Sequence, residues 1–462
     1  MATYHVAHSG GDSTSILGGL QLLGPGDTLD IHSDGDGRYI EAGIFNFGAD
    51  GSKTVFEYGD NEGERITIQG APGEAKPIFE STSTGRGAFR LQQTCRFLTI
   101  KDLIFDGKNQ TATSEGHIKI FTQHGSDMNN IILDGLEIYN CASHGIFTDP
   151  WVNNSTFQNL IIWDVGRLDG QSNCIYADGG YNNVWQDLLL YYTAARTIVN
   201  HGGFRCYLNG GEIGVAGPGG GSVAVEGHDN VFQRIKAKGA QVNIVFGGND
   251  NVLKNYLSIN PTNTHVQLIS PSQGTNDGHD IYNGTLYSAS GAGKTGILVG
   301  SNVVGSGLNL ANNGILGPAT AINLNGVTPA QNATNLTSDP GFTDVASEDF
   351  HIASAGNWDE TGTTVAAVTE DYDGLSRPQN VSYCVGAFEV PAPPESDPVN
   401  VLPATYSGVT DVELSLTGIS VSDADDDLTG DADDNMGVWL RNDVGATFSG
   451  TSTGTGTFQG EA

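Results

Sequence analysis

Four titratable side chains recur at one place in a repeating pattern. Asp149, Asp178, His201 and Glu226 each stand three residues after an aliphatic residue: Ile146, Ile175, Ile198 and Val223. A fifth such residue, Ile244, is followed at the same distance by Gly247. One residue after the aliphatic positions come Phe147, Tyr176, Val199, Ala224 and Val245, with Trp151 just beyond the first. Successive side chains of a strand point to opposite faces, so an inward aliphatic residue sends the residues one and three places later outward. Carboxylates in a column beside aromatic rings are equipment for a sugar polymer. Rings cover sugar C–H surfaces, and carboxylates move protons. Carboxylates on neighbouring rungs, about 5 Å apart, repel, and one of them then holds a proton near neutral pH. A close pair suits retaining glycoside hydrolysis and a wider pair suits inversion. The plain reading of the same residues is solvated acid on an acidic surface.

Such a column needs strands stacked in register, and the sequence supplies them. Segments 145–162, 174–190, 197–213, 222–237 and 243–259 each read as strand, Gly/Asn turn, strand. The turn residue falls at Asn130, Ser155, Asn183, Arg205, Asn230 and Asn251. A period of about 20–30 residues built from short strands marks a parallel β-solenoid. One coil cannot bury its apolar face, but stacked coils bury a continuous core. Asn at the turn tolerates the left-handed conformation and bonds to its copy on the next coil. A sandwich would alternate hairpins every 8–12 residues, and a propeller would repeat near 40.

Composition narrows the setting. The 462 residues carry 20 Lys+Arg against 53 Asp+Glu, a formal charge of −33. That excludes a basic surface for nucleic acid or anionic membrane. No apolar run is long enough to span a bilayer, so membrane insertion is not expected. The opening residues lack the charged and apolar regions of a classical signal peptide. Cys95, Cys141, Cys174, Cys206 and Cys384 form no CxxC pair, so buried free thiols are expected. "GAGKTG" (291–296) lacks the spacing of a phosphate loop, and no organic cofactor is expected.

The two ends of the repeat carry a resemblance. Gly26, Asp27, Thr28, Gly37, Tyr39, Glu41, Ile66, Ile68, Gly73, Glu74, Pro77 and Ile78 match the opening pattern of right-handed parallel β-helix proteins of the pectate-lyase-like superfamily. Asp349, Phe350, His351, Gly374, Arg377, Pro378, Gly386, Ala387 and Glu389 resemble the closing segment of secreted bacterial β-helix proteins. The resemblance implies an all-β chain: a right-handed parallel β-helix (solenoid) with a short β-rich C-terminal appendage. Residues 1–64 read as the N-terminal cap, 65–338 as coils, 339–390 as the closing segment and 391–400 as a Pro-rich linker. Residues 401–462 resemble part of a cadherin-like or VCBS-type sandwich module. Its Asp423, Asp425, Asp427 and Asp431, with Asp433 and Asp434, are dense enough for calcium, although the spacing is not that of an EF-hand.

The superfamily's lyases add a second chemistry. A lyase neutralises a uronate carboxylate and removes the adjacent proton. The resemblance gives His201 as base, Arg196 and Arg205 as neutralisers, and Asp178 with Glu226 as calcium ligands. Arg196 and Arg205 read equally as partners of neighbouring acids at turns. The function expected is therefore extracellular carbohydrate recognition with cleavage, by a lyase or a glycoside hydrolase. Phe147, Trp151, Tyr176, Arg196 and Arg205 would hold the polysaccharide. The competing expectations are a non-catalytic adhesive surface protein and a virion appendage (tailspike or decoration fibre), either as a homo-oligomer or as part of a larger assembly.

Overall fold

The computed structural model describes the chain apart from residues 42–44, 48–54, 57–58, 83, 85–86, 93–94, 113–115, 122–127, 149–150, 169–173, 179, 192–205, 210–228, 240–241, 269–276, 291–293, 302, 353–355, 393–398, 402–419, 423–438, 441–458 and 461–462. For Asp178 and Cys206–Asn209 it describes the backbone only. The chain opens with β1 (Thr3–Val6), a short helix α1 (Ile16–Leu20) and β2 (Thr28–Ile31). It then winds through β3 (Phe89–Gln92), β4 (Gly116–Phe121), β5 (His144–Thr148), β6 (Thr156–Trp163), β7 (Ile175–Asp178), β8 (Val184–Tyr191), β9 (Cys206–Asn209), β10 (Val231–Lys238) and β11 (Val242–Gly247). The far coils hold β12 (Val252–Ile259), β13 (Asp280–Tyr287), β14 (Thr295–Val299), β15 (Thr320–Asn323) and β16 (Gln331–Ala333), followed by β17 (Asp349–Ile352) in the closing segment.

Pairing is parallel along the whole solenoid. Among the described residues one sheet has 17 strands and a second has 11. Sheet A contains β1, β2, β6, β8, β10, β12, β13 and β16; sheet B contains β3, β4, β5, β7, β9, β11, β14 and β15. The protein is a right-handed parallel β-helix, as the sequence indicated. Its ladder starts at β1, whose Thr3 pairs with Thr28.

Left-handed residues make the corners. Asn159, Asp187, Arg234, Asn255 and Asn283 all have φ between 50 and 57°. Each is the fourth residue of its eight-residue strand (β6, β8, β10, β12, β13), so every coil bends at one level. Asn and Asp accept this conformation because their short side chains bond locally. Arg234 is the exception, and its guanidinium is held by Asp187, with Nη2 to Oδ2 at 3.0 Å. A second corner holds the expected asparagine ladder. The Ser155 N–H donates to Asn183 Oδ1 (3.1 Å), the Asn183 N–H to Asn230 Oδ1 (3.0 Å) and the Asn230 N–H to Asn251 Oδ1 (3.1 Å). Asn183 and Asn230, 47 residues apart, bond directly, and Arg205 lies outside the described residues.

Apolar side chains fill the tube. Phe157 stacks on Trp185 at 3.9 Å, and Phe232, Leu253 and Ile281 continue that inward column. Each such side chain contributes about 1.5–3 kcal/mol on burial. At the N-terminal end α1 closes the tube with Ile16 and Leu20, both 1% exposed. Gly19 permits that approach, since a Cβ there would meet Val6 Cγ2 at 2.4 Å. The closing segment lies along sheet A. Phe350, Ala387 and Phe388 pack with Leu257 and Ile259, and Lys238 Nζ bonds Glu348 at 2.9 Å. Its centre is the buried Arg377–Glu389 ion pair, with Arg377 also donating to the carbonyls of Cys384 and Gly386. Cys95, Cys141, Cys174 and Cys384 are buried free thiols, as expected. The chain divides into two units, Met1–Pro391 and Ala392–Ala462. In the second, the described residues form two short ladders: Val399–Val401 with Ser420–Ser422, and Trp439–Leu440 with Gln459–Gly460.

Candidate functional site

Sheet B carries one outward column whose members change character along the axis. Register sets Arg90 beside Lys119, Lys119 beside Phe147, Phe147 beside Tyr176, and Tyr176 beside Tyr207. Alternation makes the column. Ile118, Ile146 and Ile175 are fully buried, while their successors Lys119, Phe147 and Tyr176 are half-buried. Arg90 faces the same way under cover, at 4% exposure. Phe147 and Tyr176 stack at 5.1 Å with 15° between their planes. Lys119 Nζ sits 4.8 Å from the centre of the Phe147 ring. The His144 ring lies 5.2 Å from Tyr176 and 6.0 Å from Phe147. The result is a stiff strip in which two cations run into two stacked rings, one contact per coil. Its ring faces lie largely against each other and against Lys119, so a ligand meets ring edges and the cation rather than open faces.

The register corrects the titratable column. Asp178 pairs with Asn209, and Asn209 with Gly247. The rung after β7 therefore begins at Cys206, paired with Ile244, and not at Ile198 or Val223. Asn209 and Gly247 therefore hold the two rungs beyond Asp178, while His201 and Glu226 lie outside the described residues with Asp149, Arg196 and Arg205. The Asp178 backbone is at the predicted level of β7. Trp151 is half-buried, three residues after the end of β5. Asp423, Asp425, Asp427 and Asp431 lie outside the described residues. Among those described, no cluster of three His, Cys, Asp or Glu is placed to hold a metal ion, and no helix is long and apolar enough to cross a membrane.

Two clusters escaped the sequence reading. On sheet A, Tyr139 stacks on Trp163 (4.7 Å) and Trp163 on Tyr191 (6.1 Å). Lys238 caps the far ring at 5.4 Å. Next to the near ring, Arg38 Nη1 bridges Glu80 (2.7 Å) and Asp106 (3.1 Å). Burial opposes ionisation of Glu80, but hydrogen bonds from Lys108, Asn109 and Arg38 outweigh it and keep the carboxyl below its usual range. Glu80 is thereby held ionised against Arg38, which suits structure better than proton transfer. At the N-terminal end, Glu74 Oε1 meets His32 Nδ1 (2.8 Å), and His32 Nε2 meets His5 Nδ1 (3.1 Å). His5 and His32 line a cleft of about 390 Å³ with Asp12 and Asp34. Both clusters join residues from different coils, so no local motif announces them.

No protein-family model matches the chain, and no curated protein matches it significantly. Among solved structures it is similar to pectate lyase Pel9A, with 11% identity over 84% of this chain and 96% of that one and a TM-score of 0.48. It is also similar to an alginate lyase from Paenibacillus sp. str. FPU-7, with 13% identity over 73% and 99% and a TM-score of 0.44. XylC, in its complex with xylose, shows 10% identity over 83% and 98% and a TM-score of 0.44. The fold assignment rests on the parallel ladders of the chain itself.

Proposed function

We propose that this protein is an extracellular carbohydrate-active β-helix that binds a polysaccharide along sheet B and cleaves it. The observation that carries the reading is the outward column Arg90–Lys119–Phe147–Tyr176. A polymer lying along the axis meets one contact per coil, about every 4.8 Å, so a regular chain is bound by a regular surface. The half-buried Lys119, with the covered Arg90 one rung behind it, favours a ligand with negative groups. Phe147 and Tyr176 would supply apolar edges for the sugar rings.

Hydrolysis is the chemistry proposed, because the described rungs beside Asp178 carry Asn209 and Gly247, neither of which is a base. Asp178 ends β7, and Asp149 follows β5 directly in sequence. On adjacent rungs the two carboxyls would act as nucleophile and general acid of a retaining hydrolase. In that scheme the protonated carboxyl gives its proton to the leaving oxygen as the glycosidic bond breaks. The other carboxylate forms the glycosyl ester that water then opens. Calcium, if bound, belongs to the aspartates of the C-terminal unit. One observation favours the non-catalytic adhesive reading instead: the ring faces of the strip are engaged with each other, as in a structural ladder.

Activity screening separates the readings. The protein is incubated with a panel of polysaccharides, with calcium or with chelator, and both new reducing ends and ultraviolet absorbance of unsaturated uronates are followed. Reducing ends without absorbance, lost in Asp178→Asn, support hydrolysis. Absorbance together with reducing ends supports a lyase and returns attention to the loops around His201. No product from any polymer overturns the catalytic half of the proposal.

A further inference from the structure

The two ends of the solenoid differ. At the N-terminal end α1 closes the core. At the other end the core is cut open. Ile297 and Val299 in β14 are fully buried. One coil further, Ile322 (paired with Ile297), Leu324 and Val327 pack on the core yet remain partly exposed. Strand β15 ends sheet B: it pairs with β14 and has no second partner among the described residues. The closing segment contacts sheet A instead, through Thr285, Asn312 and Thr334. An open strand edge over an exposed core is a docking template unless it is blunted, and natural edges are blunted chiefly with charge.

Here charge is withheld. Charged residues make up 16% of the chain, yet none of Asp, Glu, Lys, Arg or His occurs from Thr295 to Ser338. That stretch comprises β14, β15 and β16, the last coils. Elsewhere the charge of −33 makes two copies repel.

We propose that this terminal coil is a homodimer interface, in which two copies meet end to end through β15, β16 and the exposed core. A two-fold axis brings the two β15 edges together antiparallel, so each offers the other its free backbone groups. Ile322, Leu324 and Val327 then lose their remaining exposure to the same residues of the partner. The neutral coil lets a second copy be met without like-charge contact. A partner bearing charge at its own contact face would gain nothing from this one, which is why a second copy is the occupant argued.

Sedimentation equilibrium of the full chain tests it. The expected result is a dimer of twice 48.4 kDa. Thr320 and Asn332 are exposed on this coil, so Thr320→Glu with Asn332→Glu adds charge without touching the core. The double variant is expected to be monomeric at concentrations where the native chain is dimeric, with at least about hundredfold weaker association that high salt partly restores. Circular dichroism checks its fold. As a second variant, Asn332→Cys is expected to give a disulfide-linked dimer on mild oxidation that the native chain, treated alike, does not give. A monomer at all concentrations, a trimer, or a dimer indifferent to the double variant would each overturn the proposal.

Discussion

Replacing Asn183 by Ala isolates what holds the coils in register. The side chain is 2% exposed and serves two coils. Its Oδ1 accepts the Ser155 N–H at 3.1 Å, and its Nδ2 donates to the Val152 carbonyl at 2.7 Å. Ser155 is itself 1% exposed, so its N–H would be left without a partner in the interior. An orphaned buried donor costs about 1–3 kcal/mol, and the second bond adds about 1. The expected loss is therefore about 2–4 kcal/mol. The neighbouring Asn182 is the control. It is exposed, bonds Asn154 at 3.2 Å in solvent, and has φ 54°. Asn182→Ala should cost about 1–2 kcal/mol, chiefly the left-handed strain of Ala. Urea titration followed by tryptophan fluorescence reads both, because Trp185 stacks on Phe157 two residues away. An Asn182→Ala loss equal to or larger than that of Asn183→Ala would refute the ladder as the source of register.

Three further outcomes follow. His351 lies between Asp349 and Asp373, with one carboxylate at each ring nitrogen. Burial opposes its protonation, but the hydrogen bonds the imidazolium donates to the two carboxylates outweigh this and raise its pKa. A raised folded-state pKa means the stabilisation is complete below the unfolded value near 6.5 and is lost as pH rises through the folded one. Hydrogen exchange in 349–374 should quicken from pH 6 to pH 9, after correction for intrinsic rates, and His351→Gln should flatten that change. Arg377→Met leaves Glu389 charged and unpaired in the interior, and a thermal melt should report a loss of about 3–5 kcal/mol. Lys119→Ala should weaken polysaccharide binding roughly tenfold at low salt, with a smaller difference in high salt; an unchanged affinity in titration calorimetry would remove Lys119 from the site.

Much of the solenoid was legible because its physics is local. Ile146 and Ile175 announced an inward column by alternation, and Phe147 and Tyr176 therefore pointed outward. Asn183, Asn230 and Asn251 announced the ladder because their amides bond along it, although the left-handed corner residue is the one before each, Asn182, Asp229 and Asp250. The closing motif was legible for the same reason: Arg377 and Glu389 are a buried pair, and Gly386 has φ 96°. The rung that follows β7 was not legible: spacing pointed to Ile198, while pairing passes from β7 to β9 and from Asn183 to Asn230. The Tyr139–Trp163–Tyr191 column was hidden because the left-handed Asn159 and Asp187 shift the alternation in mid-strand. The His5–His32–Glu74 chain was hidden because its members sit 27 and 42 residues apart.

The central claim is that sheet B's outward strip is the carbohydrate face. The most direct test is retention of the protein in gels containing each polysaccharide, comparing Phe147→Ala with Tyr176→Ala together against Trp163→Ala on sheet A. The account predicts that the native chain and Trp163→Ala are retarded by the same polymer while the double variant runs free. Retardation of the double variant equal to the native chain, or loss of it in Trp163→Ala alone, would contradict the account.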